Sequence, residues 1–110
     1  MINALFHRAT QRRDLAYAEC AARRLVKSEP QNPRLRLALA RVLANFVGEA
    51  LQGQRNLEVG EKTHKLDEAE SLLDEVIGDL DLPCVHTKSQ ARYLRAFVHG
   101  YRENLSLIHI

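Results

Sequence analysis

The stretch Asn32-Pro33-Arg34-Leu35-Arg36-Leu37-Ala38-Leu39-Ala40-Arg41-Val42-Leu43-Ala44-Asn45-Phe46-Val47-Gly48-Glu49-Ala50-Leu51 decides the fold class. Its apolar side chains Leu35, Leu39, Val42, Leu43, Phe46, Val47, Ala50 and Leu51 recur at spacings of three and four, which places a wide apolar stripe on one side of a helix. The same period governs Leu66, Ala69, Leu72, Leu73, Val76, Ile77 and Leu80. A stripe of smaller residues, Leu15, Ala18, Ala22 and Leu25, lets a neighbouring helix come close. Tyr93, Leu94, Phe97, Val98 and Tyr101 form another, and Ile2, Leu5, Phe6 and Ala9 a short opening one. Alternating strand patterns are missing from the sequence, so it predicts an all-α protein of about five helices arranged as antiparallel hairpins.

The helix boundaries carry recognisable chemistry. Asp14 can accept hydrogen bonds from the free N–H groups that open a helix, and Asn32 followed by Pro33 does the same one helix later. Ser28-Glu29-Pro30 and Asp81-Leu82-Pro83 stop their helices, because a residue preceding proline is pushed out of the helical region. Thr87-Lys88-Ser89-Gln90 reads as a capping box opening the last helix. Gln52 to Glu61 holds two glycines and little periodicity, and reads as a loop.

Composition narrows the function classes. The chain has 110 residues, room for a single domain, and its 45% apolar and 27% charged content is that of a globular rather than a disordered protein. No apolar run approaches the roughly 20 residues of a membrane span, and the first residues lack a secretion signal. Two cysteines, Cys20 and Cys84, build no disulfide framework, so the expected compartment is the cytoplasm. Charge is unevenly spread. Residues 1–55 carry ten Lys/Arg against four Asp/Glu, residues 56–83 two against nine, and residues 84–110 four against one. The basic opening block could steer an acidic partner, or line solvated helix faces. Nucleic-acid binding would want basic residues interleaved with aromatics, which the chain lacks.

Two helices overlay as a repeat. Asp14-Leu15-Ala16-Tyr17-Ala18 matches Lys65-Leu66-Asp67-Glu68-Ala69, Ala22 falls on Leu73, Leu25 on Val76, and each helix runs out to a proline, Pro30 or Pro83. This resembles the tetratricopeptide repeat, a helix–turn–helix unit of about 34 residues. The resemblance implies that Ala18 and Ala69 sit where paired helices cross and that the hairpins stack as a short α-solenoid. On that reading residues 1–104 form one domain. Its units are 2–32, 34–83 with an insertion near 48–63, and a half unit 87–104. The family's aromatic and glycine signature in the first helix of each unit is mostly replaced, by Ile2, Leu5, Phe6 and Ala9 and by Arg36, Leu39, Ala40 and Leu43.

Leu105-Ser106-Leu107-Ile108-His109-Ile110 resembles the frame translation of a transposase mosaic-end sequencing adapter, CTG TCT CTT ATA CAC ATC. That resemblance implies a non-native tail at 105–110 and a native chain continuing past Asn104.

Chemical motifs are few. Gly60-Glu61-Lys62-Thr63 lacks the glycine directly before lysine and the preceding strand that a phosphate-binding loop requires. Cys84 and His86 have no second pair to complete a zinc site, and His64 and His99 are isolated. Cys20, in an alanine-rich helix, reads as a small packing residue, and Arg23 and Arg24 nearby could activate its thiol. No catalytic constellation or cofactor is implied. What remains is a surface. In the resembling family the first helix of each unit lines a groove for an extended peptide or a partner helix. The matching positions are Asn3, His7, Thr10 and Gln11, then Arg34, Leu37, Arg41 and Asn45, and finally Leu94, Val98 and Tyr101. Arg34 and Arg41 lie two turns apart on one face and can bind carboxylates by paired hydrogen bonds. Asn3 and His7 stand where the family's carboxylate clamp has Lys and Asn, so that clamp is not reproduced. The sequence therefore predicts a protein-interaction scaffold for a protein or peptide, acidic where it meets the arginines, with self-association through the exposed last helix as a further outcome. The alternative is the helical N-terminal portion of a longer enzyme or regulator.

Overall fold

The computed structural model describes residues 14–53, 57–79 and 85–108, with side chains through Leu105. The described residues form α1 (Leu15–Ser28), α2 (Pro33–Leu51), α3 (Val59–Ile77) and α4 (Val85–Ile108). The expected helix over Ile2 to Gln11 lies outside the described residues, as do Leu80, the Asp81-Leu82-Pro83 stop and Cys84.

The first boundaries follow the local chemistry. Asp14 Oδ1 accepts from the Tyr17 N–H at 3.2 Å and Asn32 Oδ1 from the Arg34 N–H at 3.0 Å, each satisfying a donor that has no partner within its helix. α1 stops at Ser28, two residues before Pro30, and Pro33 opens α2 at its first turn. After Leu51 the chain turns through Gly53 at φ +80°, a left-handed conformation open to glycine at no steric cost.

Two boundaries differ from the sequence reading. α3 begins at Val59, so the helix takes in Gly60 and Glu61 that read as loop. Glu58 makes no side-chain cap there, but Glu61 in the first turn favours the positive helix end, and Lys65 further along the helix reaches Glu19 on α1. α4 begins at Val85, ahead of the capping-box pattern, so Thr87 is no cap. It is 3% exposed, on the inward stripe that continues through Ala91, Val98 and Leu105. Leu105 is 6% exposed and packs in the core.

α2 is the central element and touches each of the other three helices. One apolar face would serve one neighbour; three neighbours bury nearly its whole circumference. Leu35, Leu37, Leu39, Ala40, Val42, Leu43, Ala44, Phe46, Val47 and Gly48 are all buried. Of these, Leu37, Leu39, Ala40, Leu43, Ala44 and Val47 meet Leu66, Ala69, Leu73 and Val76 of α3 and Ala91 and Val98 of α4 in the main cluster. Leu15 and Ala18 of α1 pack with Val42 and Phe46 in a second.

Charged side chains close the outer seams. Arg23 of α1 donates two parallel hydrogen bonds to Glu68 of α3, 2.7 and 2.8 Å, while its Nε reaches Glu19 at 3.0 Å. Glu19 in turn accepts from Lys65 at 3.1 Å, and Lys65 Nζ sits 4.3 Å from the Phe46 ring centroid, within cation–π range. Arg36 of α2 pairs with Glu75, Arg95 of α4 with Asp74, and Arg102 of α4 with Asp67 and Glu70. Most of the acidic segment read from the sequence is thus α3, where Asp67, Glu68, Glu70, Asp74 and Glu75 pair with basic side chains from all three neighbouring helices.

Candidate functional site

α2 keeps one narrow strip open. Arg34, Ala38, Arg41 and Asn45 follow one another along it at helical spacing, and Arg34 and Arg41 are exposed. α4 runs beside this strip. Between them lies a cleft of about 630 Å³ lined by Arg41, Ala44 and Asn45 from α2 and by His86, Ser89, Gln90, Tyr93, Leu94, Phe97 and Tyr101 from α4.

The aromatic wall of the cleft is a helical ladder. Tyr93 and Phe97, one turn apart, meet edge to face at 5.1 Å and 79°, a favoured quadrupolar geometry. Phe97 and Tyr101 continue it at 6.2 Å. Exposure falls along the ladder, from 70% at Tyr93 and 44% at Phe97 to a half-buried Tyr101. The apolar arc of α4 is therefore wider than the stripe its neighbours cover. Tyr101 closes the far end: a Cβ added at Gly48 would lie 2.8 Å from its hydroxyl oxygen, so a residue without a side chain admits the ring against α2. Burial there pushes the Tyr101 phenol above its ordinary value.

Several residues expected to bind a partner come together in this cleft: Arg41, Asn45, Leu94 and Tyr101. Arg41 has no ion-pair partner among the described residues. Arg34 lies on the same strip but outside the cleft lining. Leu37 and Val98 belong to the core, at 5% and 0% exposure, because α2 and α4 bury those sides against α3 and against each other. Asn3, His7, Thr10 and Gln11 lie outside the described residues. Cys20 is exposed and free instead of packing inward, since it sits on the outer side of α1 away from Ala18 and Ala22.

Sequence reasoning did not single out His86, Ser89 and Gln90 in the cleft. Their signal was positional only: Ser89 and Gln90 precede Tyr93 by four and three residues and His86 by seven, so they share its side of α4. Among the described residues no three His, Cys, Asp or Glu side chains group to hold a metal, and no helix is long and apolar enough to cross a membrane. The chain matches no protein-family description, no curated protein and no solved structure.

Proposed function

We propose that this chain is a protein-interaction scaffold that takes an extended peptide or a partner helix in the cleft between α2 and α4. The observation that carries the reading is the pairing, in one cleft, of an aromatic wall with an unneutralised Arg41. Most basic residues of the neighbouring seams are spent on α3, whereas Arg41 remains available to a ligand carboxylate, with Asn45 one turn further along the strip. Aromatic and arginine side chains together are the residues that most often dominate the binding energy of an interface. A repeat-like stacking of hairpins agrees with this assignment. α2 and α4 share the cleft, α1 and α3 are bridged by ion pairs on the opposite seam, and Ala18 and Ala69 are both 0% exposed.

Selection from a displayed peptide library against the 110-residue chain tests the reading. Selected peptides should carry an apolar side chain near a carboxylate. Arg41→Glu should weaken them about tenfold or more, as loss and reversal of a charge-assisted contact does. Arg24→Glu, on the exposed side of α1, should leave them unchanged. A library that yields no binder, or binders indifferent to Arg41→Glu and Asn45→Lys, would overturn it.

A further inference from the structure

The outer side of α4, adjoining the cleft at Ser89 and Tyr93, is open and contains Ser89, Tyr93, Ala96 and Gly100 in a row at helical spacing. A second concavity of about 410 Å³ lies along it, lined by Tyr93, Ala96, Phe97, Gly100, Tyr101 and Asn104. An added Cβ at Gly100 would meet nothing within 4 Å, so another helix can approach the backbone there. Arg92 and Glu103 flank the row on one edge; both are exposed and neither has an ion-pair partner among the described residues.

These residues have a symmetry that selects their occupant. Rotating α4 by a two-fold axis near Phe97 lays it antiparallel on itself. Tyr93 then faces Gly100 of the copy, a large ring over a position with no side chain, and the reciprocal pair forms by the same operation. In an antiparallel helix pair, like edges meet, which brings Arg92 opposite Glu103 of the copy within two residues of perfect register, a rise of about 3 Å that either side chain spans. Phe97 meets its own copy at the axis, and Gln90 meets Asn104 on the other edge. A self-complementary patch of this kind is what a closed two-fold interface requires. We infer that the outer face of α4 is a dimerisation surface whose occupant is the same face of a second copy, antiparallel and centred near Phe97. The surface leaves out Arg41 and Asn45 but shares Tyr93, Phe97 and Tyr101 with the cleft, so a second copy and a peptide compete for these rings.

Sedimentation equilibrium of the full chain over a concentration series tests it. The mass should rise from 12.5 kDa towards twice that value. Gly100→Arg, on an open helical surface, should hold the chain at the monomer mass while circular dichroism retains its helical signal. Arg92→Glu alone and Glu103→Arg alone should each raise the dimer dissociation constant about tenfold, because each reverses two symmetry-related pairs. The double swap Arg92→Glu with Glu103→Arg should restore it. A wild-type chain that remains monomeric at millimolar concentration overturns the inference, as does a dimer indifferent to Gly100→Arg. A double swap no better than its single parents overturns the antiparallel register. Arg41→Glu should leave the dimer intact.

Discussion

The seam between α1 and α3 and the cleft between α2 and α4 are built from opposite materials. At the first, Arg23, Glu19, Glu68 and Lys65 form one connected network, and its last cation rests on the Phe46 ring. Each of these four side chains has a partner within the chain. At the second, the aromatics Tyr93 and Phe97 face outward and Arg41 has no ion-pair partner among the described residues. A closed seam fixes how two helices lie together. An open one leaves aromatic and cationic side chains uncovered. The difference shows that much of the uneven charge of this sequence is engaged in its internal assembly.

The sharpest way to break the comparison is to remove what both regions share. Leu43 of α2 is 0% exposed in the main cluster. Leu43→Ala should cost about 2–5 kcal/mol, the range for a buried leucine that leaves a cavity, and denaturant melts should show the whole chain losing stability together. Next comes the closed end of the cleft. Gly48→Ala gains about 1 kcal/mol of helix propensity but drives a methyl against Tyr101, at a cost of about 1–3 kcal/mol, so a net loss of about 1 kcal/mol is expected. Tyr101→Phe in the same background should recover part of it, because the hydroxyl oxygen is the nearest atom. A stabilised Gly48→Ala chain would show that the ring swings aside freely.

The ion-pair seam should be worth less. Arg23 is 44% exposed and its partners 22% and 29%, so solvent screens the network and Arg23→Met should cost about 1 kcal/mol or less in a thermal melt. Its signature is in pH. Burial, the largest single influence on Glu19, raises its pKa, but Arg23 and Lys65 together outweigh it and hold the group below the ordinary 4.5. Glu68 is lowered mainly by its hydrogen bonds to Arg23. Folded-state values below the unfolded ones mean the contribution is present above about pH 4.5 and is lost as the pH falls below it. Wild type should lose more stability than Arg23→Met between about pH 7 and about pH 3. The smallest effect is at the other extreme. Tyr101, raised by burial, holds its proton beyond the ordinary value of 10, so ultraviolet titration should show one tyrosine lagging, and a lag that Tyr101→Phe abolishes. Its contribution is present below pH 10 and falls away as the pH rises through its folded-state value.

Much of this architecture was legible residue by residue. The period in Leu35 to Leu51 and in Leu66 to Ile77 marked α2 and α3, and Asp14 and Asn32-Pro33 marked two helix starts, because a cap acts within one turn of its own backbone. The cleft was half legible: Arg41, Asn45, Leu94 and Tyr101 were expected on one surface and line one cleft, whereas Leu37 and Val98 are core. Period alone says which residues share a side of a helix, not how many neighbours that helix will have. α2 has three, which draws Leu37 inward. α4 leaves part of its apolar arc uncovered, which turns Tyr93 and Phe97 outward. The start of α4 failed for a related reason, since Thr87 has the spacing of a cap and the position of a core residue.

By itself, then, the sequence determined helical class, most helix spans and two caps, all properties set by neighbours within about four residues along the chain. Only the tertiary structure decided which arginines pair with α3 and which have no ion-pair partner among the described residues. Arg23, Arg36, Arg95 and Arg102 come to it from three different helices, while Arg41, of the same residue type and in a similar local sequence, faces the cleft. An ion pair forms between groups within about 4 Å in space, and that distance is fixed by helix packing rather than by position along the chain.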